Sequence, residues 1–79
     1  MLEIKNDWGR CEITLNKYLI QHKISKSKLS RAAEIQYSQL QAYCKNEIQR
    51  PDLSVLARIC RALECDIPDL LRYIPPEEE

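Results

Sequence analysis

Apolar residues recur along most of this chain at helical spacing. Leu15, Tyr18, Leu19 and His22 fall at i, i+3, i+4 and i+7, which marks one face of a helix over about 14–22. Ser25 is placed to cap a second helix running to Ala33, with Leu29, Ala32 and Ala33 on its inner side. A serine oxygen accepts from amide groups that the first helical turn leaves without partners. A third helix over about 36–44 turns Gln36, Leu40 and Tyr43 inward. Pro51 and Asp52 open a fourth, with Asp52 as N-cap and a stripe of Leu53, Leu56, Ala57, Cys60 and Leu63. Pro68 begins a short fifth carrying Leu70, Leu71 and Ile74, and Pro75-Pro76 ends it. The pattern predicts an all-α fold, a compact bundle of five helices joined by short loops.

The first residues follow a different period. Leu2 and Ile4 alternate with polar neighbours, as do Cys11 and Ile13, across a turn-prone Asn6-Asp7-Trp8-Gly9. That suits a short N-terminal β-hairpin. The simplest register, however, sets Glu3 against Glu12 and Lys5 against Arg10, and like charges directly opposite are unfavourable. An irregular arm is the alternative. The chain divides into an arm or hairpin at 1–13, a helical domain at 14–74 and an acidic tail at 75–79.

Composition narrows the class. A chain of 79 residues with one glycine and four prolines makes one domain and favours helices over a turn-rich β fold. No apolar run approaches a membrane span and the start does not resemble a signal peptide, so a cytoplasmic protein is expected. Of the four cysteines, Cys11, Cys44, Cys60 and Cys65, none forms a C-x-x-C pair. They are read as small hydrophobes, Cys60 buried and reduced, with no metal and no other cofactor. Net charge is zero but unevenly spread: +5 over residues 17–50, −4 over 51–79 and −1 over 1–16. A basic middle beside an acidic end suits an anionic partner on one face.

The stretch from Ile24 to Pro51, ISKSKLSRAAEIQYSQLQAYCKNEIQRP, carries Leu29, a small Ser30, Ile35, Leu40 and Tyr43, with a polar Gln36-Tyr37-Ser38-Gln39 opening the third helix. It resembles the helix-turn-helix of the phage-repressor and Cro family, also called the Xre family. The resemblance continues through Asp52 to Cys60 and Cys65 to Leu71, and covers about residues 13–74. It departs at three places, where Glu34, Lys45-Asn46 and Glu64 stand at positions that commonly hold glycine. The resemblance implies a sequence-specific, double-stranded DNA-binding transcription regulator, a repressor, that reads the major groove with helix 36–44.

The residues support this reading independently. Two helices joined tightly need small residues where they cross, and Ser30 and Ala33 meet that need. On helix 36–44, at about 100° per residue, Tyr37, Ser38, Gln41, Ala42 and Lys45 fall within about 140° opposite the inner arc. That face has no carboxylate to meet phosphate repulsion. Tyr37, Ser38, Gln41 and Ala42 are the candidate base-contacting residues, though Tyr37 suits a partly buried aromatic leaning on the second helix equally well. Lys26, Lys45 and Arg50 are the candidate phosphate contacts, Lys26 beside free amide groups at a helix N-terminus. An ordinary surface lysine is the plainer reading of Lys26. His22 is read as a cation at a helix C-terminus.

No glycine-rich phosphate loop, paired metal-ligand motif or Ser-His-Asp order is present, so no enzyme activity is expected. No small-molecule ligand or membrane partner is evident either. A weak homodimer is expected, through Leu71, Tyr73 and Ile74 or the arm around Trp8, because one recognition helix contacts few base pairs. The alternative is a protein-interaction module of the same fold, such as an antitoxin, anti-repressor or adaptor.

Overall fold

The computed structural model describes residues 7–78. Within them lie four α-helices and a two-stranded antiparallel sheet: β1 (Arg10–Ile13), α1 (Leu15–Gln21), α2 (Lys26–Ala33), α3 (Tyr37–Cys44), α4 (Leu53–Leu63) and β2 (Leu71–Ile74). Short 3-10 turns at Ile67–Asp69 and Pro76–Glu78 flank β2.

The helix starts follow their capping residues. Ser25 Oγ accepts from the Lys28 amide at 3.1 Å and Asp52 Oδ1 from the Ser54 amide at 2.8 Å, so α2 and α4 begin one residue after each cap. The Ser54 hydroxyl, which donates to the same oxygen at 2.7 Å, and then the Ser54 amide hold the Asp52 carboxyl below its ordinary pKa. Gln36 is the N-cap of α3 and is exposed, not inward as its spacing suggested.

The helix ends share one device. After each helix a residue takes positive φ: Lys23 at 56°, Glu34 at 55°, Asn46 at 60° and Glu64 at 54°. At each, one amide bonds three residues back and the next amide five residues back, as in Ile24 N to Leu19 O, Ile35 N to Ser30 O, Glu47 N to Ala42 O and Cys65 N to Cys60 O. This double bond pattern is the Schellman motif, which satisfies carbonyls the helix leaves open. The left-handed conformation costs a side-chain-bearing residue about 1 kcal/mol or more, and asparagine tolerates it best. Three of the four positions are the glycine replacements of the sequence pattern; Lys23 is a fourth.

The core gathers Leu15 and Leu19 of α1, Leu29 and Ala33 of α2, Ile35 of the turn that follows, Leu40 and Tyr43 of α3, and Val55, Leu56 and Ile59 of α4. The inner face of α4 differs from the expected stripe. Leu53 is 78% exposed and Ala57 exposed, while Cys60 is half-buried instead of buried. Apolar residues surround most of this helix, so spacing alone does not select an arc. Contact with α2 rotates the buried face toward Val55 and Ile59. Ala32 of α2 is likewise exposed.

The expected fifth helix is replaced by the turn at Ile67–Asp69 and strand β2. Ile74 precedes Pro75, whose ring disfavours helical backbone at the residue before it, and the turn capped at its start by Asp66 runs only from Ile67 to Asp69. Strand geometry then satisfies the segment through β1, in the register Arg10↔Ile74, Cys11↔Tyr73, Glu12↔Arg72 and Ile13↔Leu71. Glu12 therefore faces a cation rather than an acid. The first hairpin strand, around Leu2 and Ile4, lies outside the described residues; Arg10–Ile13 finds its partner at the other end of the domain. Ile74 is buried and Leu71 half-buried, which removes Ile74 from any docking surface.

Candidate nucleic-acid interface

α2 and α3 meet across Glu34, Ile35 and Gln36. The reversal is held from three sides. Ile35 is buried at 4% exposure, Ser30 Oγ donates to the Ile35 carbonyl, and Arg58 Nη1 of α4 donates to the Glu34 carbonyl at 2.9 Å. Ala33, also buried, leaves room for the close crossing. Spacing flagged Ser30 and Ala33 but not Arg58, because an exposed arginine on a helix carries no signal of its own.

α3 is anchored by Leu40, fully buried, and by Tyr43, whose hydroxyl accepts from the Asp52 amide at 2.9 Å. The same residue thus fixes α3 and the start of α4. With that face inward, Tyr37, Ser38 and Lys45 are exposed, and Gln41 and Ala42 are half-buried. Gln39 is exposed too. Tyr37 is 47% exposed, so part of its ring is open to a partner.

The cations separate by position. Lys26 is the first residue of α2, Lys45 follows the last residue of α3, and Arg50 lies in the loop between α3 and α4, exposed. Lys26 is not a free surface lysine: its Nζ donates to Gln41 Oε1 at 2.8 Å in a half-buried contact. A candidate phosphate contact and a candidate base contact are thereby joined. The Lys26 ammonium also opposes the upward shift that burial imposes on the Cys44 thiol. Asn46 contributes a link that the sequence did not reveal, its Oδ1 accepting from the Ile13 amide at 2.9 Å and tying β1 to the end of α3. His22 is exposed after α1 and stacks on Tyr18 with ring centroids 4.1 Å apart. All four cysteines are free thiols, and among the described residues no helix is long and apolar enough to cross a membrane.

A family model for the Cro/C1-type HTH DNA-binding domain matches residues 14–76. No curated protein matches the chain. Among solved structures the chain is similar to the transcriptional regulator VanUg, at 28% sequence identity and a TM-score of 0.68, over 95% of this chain and 99% of that one. A match over most of the chain, on a fold whose second and third helices form the tight pair described above, establishes the family: the chain belongs to the Cro/C1-type helix-turn-helix DNA-binding domains.

Proposed function

We propose that this protein is a sequence-specific transcription regulator that inserts α3 into the major groove of double-stranded DNA. The observation that carries the reading is the outward face of α3, with Tyr37, Ser38, Gln41, Ala42 and Lys45 and no carboxylate, opposite the buried Leu40 and Tyr43. Ser38 and Gln41 have the hydrogen-bonding groups to read base edges, with Tyr37 and the small Ala42 in apolar contact. Lys45 and Arg50 lie at either end of the α3–α4 approach and serve the phosphates, which add affinity without sequence information. The similar structure is that of a transcriptional regulator, which agrees with this role. Repression is the proposed outcome, since a bound domain excludes other proteins from the same stretch of DNA.

The protein works as a weak homodimer, with two copies reading half-sites about one DNA turn apart. Trp8 and Tyr73, exposed at 74% and 56%, support that assembly; the Tyr73 hydroxyl donates to the Trp8 main-chain carbonyl at 2.7 Å, and both residues line one shallow cavity with Pro75 and Pro76. We assign binding and no catalysis to the chain, whose one histidine is engaged in the Tyr18 stack.

Selection of duplexes from a random pool, followed by titration of the selected and a scrambled duplex at two salt concentrations, tests the reading. A preferred site, with affinity that falls steeply as salt rises, is the expected result. Absence of any salt-dependent affinity overturns it and leaves the protein-interaction module in its place.

A further inference from the structure

The contact between Lys26 and Gln41 changes what Gln41 can read. A free glutamine side chain presents a carbonyl acceptor and an amide donor together, and this pair matches adenine N6–H and N7. Here Gln41 Oε1 is already bonded to the Lys26 ammonium at 2.8 Å. An ammonium has donors only and carries a full positive charge. It occupies one lone pair of the carbonyl and repels the partially positive N6–H of an adenine that approaches the other. What remains outward is the Gln41 Nε2–H together with the spare N–H groups of Lys26, a set of adjacent donors. Guanine presents two adjacent acceptors, O6 and N7, on its major-groove edge.

We propose that Lys26 and Gln41 form one donor-only reading unit, and that Lys26 is a specificity-determining residue which makes the base facing Gln41 a guanine and rejects adenine. The inference rests on the groove-reading role of α3. Three features favour a fixed unit over a transient contact. Both side chains are half-buried, which limits their alternatives. Lys26 is set by the Ser25 cap at the start of α2. Gln41 follows Leu40, the fully buried anchor of α3.

The test is a base-substitution scan of the selected duplex with wild type, Gln41→Ala, Lys26→Met and Lys26→Gln. Lys26→Met keeps the length of the stem without its charge; Lys26→Gln keeps a donor and serves if the first variant is less well folded. Wild type is expected to require guanine at one position per half-site, and Gln41→Ala to lose that requirement. Lys26→Met frees the Gln41 carbonyl, and Lys26→Gln ends the charged, donor-only set by adding a carbonyl acceptor, so with either variant the adenine-to-guanine preference at that same position should rise roughly tenfold or more. Uniform weakening of all sequences by the Lys26 variants, with the preference profile unchanged, would reduce Lys26 to a phosphate contact and overturn the proposal. An adenine preference in wild type at the position controlled by Gln41 overturns it equally. Wild type without specific DNA affinity fails the groove reading itself, and this inference with it.

Discussion

Arg58 of α4 reaches across to the carbonyl of Glu34, 2.9 Å away, at the residue where the chain reverses between α2 and α3. Glu34 sits there at φ 55°, a conformation that costs a non-glycine residue about 1 kcal/mol. The arginine thus braces a strained turn from a third helix. Arg58→Ala should lower stability by about 1 kcal/mol, read as a fall in the urea midpoint with unchanged slope. Glu34→Gly should act oppositely, raising stability by up to about 1 kcal/mol, as should Glu64→Gly at φ 54°. If neither glycine variant is at least as stable as wild type, the strain assigned to these helix ends is wrong.

Gly9 has the converse requirement. Its φ is 71°, and a Cβ added there would run into the Ile74 carbonyl oxygen and lie 2.9 Å from the Tyr73 hydroxyl. Gly9→Ala should therefore disturb the β1–β2 pairing and cost more than the roughly 1 kcal/mol of the conformation alone. Hydrogen exchange locates the effect: the amides of β1 and β2 should lose protection before those of α3 and α4. Equal loss throughout would place the strain elsewhere.

The first four helices and the outward arc of α3 were legible in the sequence because local chemistry determines them. Ser25 and Asp52 cap where their oxygens predict, and the acid-free arc of α3 follows from 100° steps about Leu40 and Tyr43. What was not legible depends on partners distant in the chain. Leu70, Leu71 and Ile74 fit a helix as well as a strand, and only β1, some sixty residues earlier, decides between them. In α4 the wealth of apolar residues hid the inward arc, so Leu53 was expected to be buried and is exposed. The Lys26–Gln41 contact joins α2 to α3 through two flexible side chains that no periodicity relates.

Base reading and phosphate attraction should separate on mutation. Ser38 is exposed near the start of α3, while Arg50 lies outside the helix in the following loop. Ser38→Ala should cost about 1–3 kcal/mol on the preferred duplex and little on a scrambled one. Arg50→Ala should weaken both duplexes alike and lower the slope of log affinity against log salt by about one. Parallel titrations at two salt concentrations distinguish them. A Ser38→Ala loss shared equally by the two duplexes would remove Ser38 from base contact.

Cys65 offers a test of how tightly α4 is closed. Burial, the most important cause, and then the neighbouring Cys60, with which it shares a hydrogen bond, push its thiol up from the ordinary 9.0 to about 11. The same residue bonds through its amide to the Cys60 carbonyl at 3.0 Å, and the side-chain hydrogen bond sets the two sulfurs together where a Schellman motif commonly holds an apolar contact. The folded state therefore prefers the neutral thiol. Below about pH 9 both folded and unfolded chains keep the proton, and the stabilisation is fully present. Between 9 and about 11 the unfolded chain ionises first, and stability is lost as pH rises through that window. Cys65→Ala should flatten this part of the stability profile, compared with wild type at each pH so that lysines and tyrosines cancel. Thiolate absorbance should independently show one cysteine ionising near pH 11 in the folded protein. If all four thiols ionise near pH 9 without loss of structure, the Cys60–Cys65 contact is open to water and the closure of α4 is looser than its hydrogen bonds indicate.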